Sequence, residues 1–145
     1  MSSLHVLFKV DRADYAVAAR DVLHMESFAG ATKVPGTPAY VAGLVQIRQR
    51  VVPVVDLRAR FGLPASAPTL DSRVVVVQSG TRAVGLLVDS AREVLEIADD
   101  SFRPPPEVVT EQAEGFVLSV AQAGTRLVML IDFEKVIGQE TLHGK

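Results

Sequence analysis

Apolar residues in this chain come in short blocks separated by polar residues, glycine or proline. The blocks are Leu4–Val10, Tyr15–Ala18, Val22–Met25, Val41–Ile47, Val51–Val55, Val74–Val77, Val84–Val88, Val94–Ile97, Phe116–Ala121 and Leu127–Ile131. They are short and rich in β-branched residues, so each predicts a strand. The unbroken run Val74–Val77 predicts a strand buried on both faces. Along Leu44–Arg48, alternation places Val45 and Ile47 on one face and Leu44, Gln46 and Arg48 on the other. Many short strands joined by close turns predict an all-β fold of the barrel or sandwich kind.

Helix is scarce. Asp56 precedes Leu57–Phe61 and then Gly62; Asp132 precedes Phe133–Ile137 and then Gly138. Each segment reads as an aspartate N-cap, one to two helical turns and a glycine stop. The match between them is wider than the caps. VVPVVDLRARFG (51–62) parallels LVMLIDFEKVIG (127–138) at an offset of 76, and ARDVLHM (19–25) parallels AREVLEI (91–97) at an offset of 72. Two ordered matches predict an internal duplication, approximately 4–62 and 73–138. The expected organisation is one domain, 1–145, made of two pseudo-symmetric β-barrel subdomains. A solenoid needs three or more repeats.

Proline marks the connections. Ala31–Pro38 and Pro64–Pro68 read as loops, and Pro104–Pro106 as an extended segment. Pro53, inside VVPVV, predicts an edge strand or a bulge because it cannot donate to a ladder.

Composition narrows the function. An apolar fraction of 48% in 145 residues suits a folded core and is too high for disorder. There is no cysteine, which removes disulfides and thiol chemistry. The N-terminus lacks the pattern of a signal peptide, and no apolar run nears the roughly 20 residues of a membrane helix, so a cytoplasmic protein without direct membrane insertion is expected. Net charge is −2 and aromatic residues make up 6%, which argues against a basic, base-stacking nucleic-acid surface. A small-barrel nucleic-acid binder is the alternative of another class.

No pattern of catalysis emerges. His5, His24 and His143 are far apart in sequence, and His5 lies inside a predicted strand. There is no HExxH, GxSxG, GxGxxG or Walker pattern. Asp56 and Asp132 are explained as caps, and Asp99-Asp100 as a solvated turn. No catalytic residue, metal or cofactor is assigned. The densest positive feature is Arg48-Gln49-Arg50, with Arg58 and Arg60 nearby. It reads equally as a solvated hairpin or as a charged docking site, where arginine's planar fork suits carboxylates.

At this hairpin the chain resembles a known family. Tyr40 to Arg58, YVAGLVQIRQRVVPVVDLR, is similar to the core motif of the CheW-like domain, in which a glycine and an apolar pair lead into Asn-Leu-Arg-Gly and then Pro-Val-Val-Asp-Leu-Arg. Val34-Pro35, Val84–Asp89 followed by Glu93-Val94, and Arg103–Pro105 extend the likeness over about Leu4 to Gly138. The resemblance implies two five-stranded SH3-like β-barrel subdomains and no enzymatic activity. It implies an adaptor that couples chemoreceptor cytoplasmic tips to the regulatory domain of a CheA-type histidine kinase. Self-association in arrays is left open. The receptor site it implies lies in a groove near Val22, His24, Gly43, Gln46, Arg48, Gln49 and Val74, with Arg48 matching the motif arginine. Kinase contact is implied on the apolar strand surface of one lobe. The chain departs from the motif where Gln46-Ile47-Arg48-Gln49 replaces Asn-Leu-Arg-Gly, and in His24, where an acidic group is common. A divergent paralog in a gliding or pilus pathway that has lost one partner is the second reading.

Overall fold

An extended run must pair its backbone donors and acceptors, and β-branched side chains favour doing so in a sheet. A computed structural model of the chain describes residues 1–107 and 115–143, with side chains as far as Gly138. Within them lie β1 (Ser2–Val10), β2 (Ala13–Ala18), β3 (Val22–Ser27), β4 (Val41–Ile47), β5 (Arg50–Asp56), β6 (Arg73–Ser79), β7 (Arg82–Val88), β8 (Ser90–Ala98), β9 (Phe102–Arg103), β10 (Val117–Ala123) and β11 (Arg126–Ile131). Two helices, α1 (Leu57–Arg60) and α2 (Phe133–His143), and two 3₁₀ turns, Ala19–Asp21 and Asp99–Ser101, complete the list. Every predicted block falls on a strand. The two-residue β9 was not predicted, since Phe102-Arg103 is too short to form a pattern.

The sheets do not divide the chain into halves. One has the order β8-β1-β2-β11-β10-β9 and the other β3-β6-β7-β5-β4. The first therefore builds β1 and β2 of the N-terminal half against strands of the C-terminal half, and the second does the reverse. Register shows the pseudo-two-fold. The hairpin pairs Val10↔Ala13 and Ser79↔Arg82 are related by a shift of 69, as are Phe8↔Ala91 and Val77↔Val22. Leu44↔Pro53 and Val120↔Met129 are related by a shift of 76, and the bulge at Val41/Gly43 recurs at Val117/Ser119. The 76-residue match holds in space. The 72-residue match of 19–25 with 91–97 does not; it is three residues out of register. An odd slip reverses the faces of a strand, which is why Leu95 and Ile97 pack inside the first sheet while Leu23 and Met25 are exposed.

Each sheet closes through the continuation of its edge strand. After β8 the chain turns and β9 pairs with β10; after β3 it returns so that Thr32 bridges Leu44 of β4. Leu7, Ala16, Ile97, Ala121 and Val128 fill the first lobe, and Ile47, Val52, Val54, Val74, Val76 and Ala83 the second. The largest buried cluster lies between the lobes and includes Val6, Phe8, Val75, Val77, Leu86, Val136 and Ile137. Alternate valines of β6 thus serve two cores, as the unbroken run predicts. At roughly 2 kcal/mol for each such side chain, this shared core makes the lobes a single cooperative unit.

The helices seal the shared core. The Asp56 carboxylate accepts from the Arg58 amide at 3.0 Å and that of Asp132 from the Lys135 amide at 3.3 Å, so both caps form. After α1, Gly62 with φ 72° donates to Ala59 and Leu63 donates to Arg58, a Schellman ending. Gly138, at φ 70° and ψ 161°, breaks α2 rather than ending it, and helix resumes to His143. Arg60 donates to the carbonyls of Val136 (2.8 Å) and Lys135 (3.1 Å) just before that break, and its guanidinium lies over Tyr40. Pro53 is not on an edge: β5 lies between β7 and β4, and its ladder with β7 starts one residue later, at Val54. The missing donor is accommodated at the margin of that ladder.

Candidate docking surfaces

The β4–β5 hairpin has a two-residue loop, Arg48-Gln49, since Ile47 pairs with Arg50. Its residues have φ 49° and 69°, a type I′ turn, which matches the twist of the strands but favours glycine or asparagine. Neither residue here is one of these. Gln49→Gly should raise stability by about 1 kcal/mol, read as a shift of the urea midpoint at unchanged slope; no shift would mean that Gln49 meets no strain. The Arg48 guanidinium lies 3.3 Å from Glu26. This exposed pair ties the hairpin to β3 across the seam of the second barrel. His24 and Glu26 share a face of β3, opposite Val76 and Val74, and so sit at the barrel rim.

The residues singled out from sequence therefore separate. Gln46, Arg48 and Gln49 are exposed at the hairpin, and His24 is half-buried beside it. Val22 is half-buried and packs on the shared core. Val74 is fully buried inside the second lobe and presents nothing to a partner. Gly43 is buried under the returning chain: a Cβ there would lie 2.3 Å from the Thr32 carbonyl oxygen. Val74 and Gly43 therefore contribute to the interior of the second lobe and not to its surface. Arg58 and Arg60 leave the basic cluster altogether. Arg60 is engaged by α2, and Arg58 donates to both oxygens of Asp89 (2.9 and 2.8 Å) and to the Pro64 carbonyl (2.9 Å).

Burial raises the Asp89 carboxyl, but the Arg58 hydrogen bonds, the Asp11 amide and the guanidinium charge outweigh it and hold the group below its usual range. The same ion pair raises the affinity of Arg58 for its proton.

Exposed apolar residues mark surfaces that the motif reading missed. Met25, opposite buried Val75, and Val94, opposite buried Val6, carry the shared core out to solvent; they are 41% and 53% exposed. Leu4, on β1, is the diagonal neighbour of Val94 on the same face of the sheet, since Leu4 pairs with Glu96 and Val6 with Val94. A second kind of patch occurs twice. On the outer face of the second lobe, Leu44 is opposite Pro53 and Gln46 opposite Val51. On the first lobe, Val120 is opposite Met129 and Gln122 opposite Leu127. The pseudo-two-fold superposes these four residue by residue, glutamine on glutamine, and Val51 and Leu127 are 66% and 63% exposed. The 76-residue shift in the sequence could have paired the two sets, had exposure been known.

Among the described residues no group of His, Asp and Glu side chains converges as a metal site, and no helix is long and apolar enough to cross a membrane. Fold and surface define a class: an interlocked double β-barrel whose distinguishing features are exposed apolar strand faces. The match of residues 4–141 to the CheW-like domain makes the family explicit, and the chain belongs to it. It is 31% identical over 135 residues to the chemotaxis protein CheW of Rhizobium meliloti, covering 93% of this chain and 87% of that one. It is 30% identical over 94 residues to the protein PilI of Pseudomonas aeruginosa, covering 63% and 51%. The scaffolding protein TtCheW of Thermoanaerobacter tengcongensis superposes with a TM-score of 0.87 at 30% identity, covering 94% of this chain and 93% of that chain. The family is a chemotaxis scaffold family, as its members' names state.

Proposed function

We propose that this chain is a non-enzymatic cytoplasmic adaptor that couples a chemoreceptor's cytoplasmic tip to a CheA-type histidine kinase. The observation that carries this reading is the presence of separate apolar surfaces on one rigid body: the strip Leu4, Met25 and Val94 beside the inter-lobe core, and the paired outer patches around Val51 and Leu127. A coupler needs more than one surface, held at fixed geometry. The receptor tip takes the strip and the adjoining rim at Val22, His24 and the Gln46–Gln49 hairpin. The kinase regulatory domain takes an outer patch. The second outer patch leaves room for a further copy of the kinase domain or of this chain. Apolar anchors of this kind dominate interface energies.

Co-purification with a CheA regulatory domain and a receptor cytoplasmic fragment tests the proposal, and binding to neither removes it. One of the two changes Val51→Asp and Leu127→Asp, on the patch that the kinase takes, should weaken kinase binding by roughly tenfold, the loss of about 1.4 kcal/mol, and both should leave receptor binding in place. Met25→Asp should do the opposite. Binding to only one partner would favour the pilus-type paralog, a reading supported by the partial match to PilI.

A further inference from the structure

The exposed strip between the lobes inherits the pseudo-two-fold, and its charges break it. The shift of 69 carries the pair Val6↔Val94 onto Val75↔Met25, so the middle of the strip is apolar on both lobes. The same shift carries Leu4↔Glu96 onto Arg73↔Ser27. It also relates the two residues that the registers skip at their bulges, Leu23 of β3 and Arg92 of β8. Two leucines and a carboxylate are thus matched by two arginines and a hydroxyl.

These residues gather at opposite ends. Arg92 of the first lobe pairs with Asp71, which stands two positions before Arg73 of the second. Arg73 donates to the carbonyls of Leu70 (2.7 Å) and Ser72 (2.8 Å), on either side of that aspartate. Both guanidiniums therefore hold one turn, at one end of the strip, and Asp71 balances only one of them. Arg73 makes both of its bonds through Nη1, which leaves Nε and Nη2 as a fork for a carboxylate. The symmetry places Leu4, Leu23 and Glu96 at the other end. Leu4 and Leu23 are 53% and 39% exposed. Glu96 is exposed and makes no hydrogen bond or ion pair among the described residues. The strip runs from an apolar, acidic end to a basic one.

A partner that met only the apolar middle would lie equally well in either direction, because Met25 and Val94 are symmetry mates. Complementary charges fix register and orientation more than they add affinity. We propose that the polarity of the strip sets the direction in which the receptor tip lies along it. The tip places a basic side chain at Glu96, apolar side chains between Leu4 and Leu23, and a carboxylate at Arg73 and Arg92. This inference rests on the assignment of the strip to the receptor made above.

A receptor cytoplasmic fragment provides the test. Because the chain has no cysteine, a nitroxide can be attached through Ser27→Cys at the basic end, or through Ser2→Cys at the other. Ser2 pairs with Ala98, just past Glu96. In NMR spectra of the isotope-labelled fragment, the label at Ser27 should broaden residues around an acidic side chain. The label at Ser2 should broaden a separate set around a basic one. Glu96→Lys should weaken binding of the fragment about tenfold and leave binding of the kinase regulatory domain unchanged. Equal broadening of the same residues by both labels, or full affinity in Glu96→Lys, would overturn the polarity while the coupling function stands. A parent protein that does not bind the fragment would overturn both.

Discussion

Gly43→Ala should destabilise the protein by about 3 kcal/mol, near the top of the range for single substitutions. Two costs coincide. Gly43 has φ 139°, where an L side chain is strained. Its new Cβ would also lie 2.3 Å from the Thr32 carbonyl oxygen and 2.7 Å from the carbonyl carbon. Those atoms belong to backbone held by the reciprocal Thr32–Leu44 hydrogen bonds of 2.9 and 2.8 Å. They cannot turn aside as a flexible side chain would. The strand β4 or the returning chain must move, and the second barrel opens where it closes. Gly62→Ala is the control, because Gly62 has φ 72° but nothing near its missing Cβ; it should cost only about 1 kcal/mol. Urea unfolding separates the two, and amide exchange at Thr32 and Leu44 should rise in the Gly43 variant alone. Equal losses in both variants would show that backbone strain, and not the close approach, dominates at Gly43.

Arg58→Ala should cost about 2 kcal/mol at neutral pH, the usual scale for losing charged hydrogen bonds at a partly buried site. It removes the fork to Asp89 and also the bond to Pro64 that pins the segment after α1. The loss should depend on pH. Asp89 has a lowered folded-state pKa, so its contribution is present above the unfolded carboxylate pKa, about 3.9, and fades as pH falls through the lower folded value. The stability gap between parent and variant should therefore be largest near neutrality and shrink below about pH 4. A gap that stays constant down to pH 2 would assign the effect to the Pro64 bond and packing alone.

Much of the fold is legible along the chain because its signals are local. A four-valine run can only be a strand wanted on both faces, and Asp56 and Asp132 announce the caps that form. The 76-residue shift between α1 and α2 survives in space because cap, helix and glycine pin the register. The shift at Ala19 and Ala91 does not survive. Similar valine-rich strands carry no local mark of register, so the alignment slipped by three and matched exposed Leu23 and Met25 with inward-facing Leu95 and Ile97. The site was legible in part. Gln46, Arg48 and Gln49 do stand on an exposed turn, but motif membership cannot separate a residue that touches a partner from one that shapes the hairpin. Gly43 and Val74 are of the second kind, and exposure is a property of the assembled barrel.

The hydrophobic pattern by itself determined the strands and the capped helices, since each depends on residues within a few positions of one another. Only the tertiary structure decided that the two halves interlock, because strand exchange between repeats leaves every local preference unchanged. It also decided where Arg58 points and which apolar residues stay in water. These depend on pairs such as Arg58 with Asp89 or Val75 with Met25, which lie far apart in sequence and meet only when long-range pairing is complete.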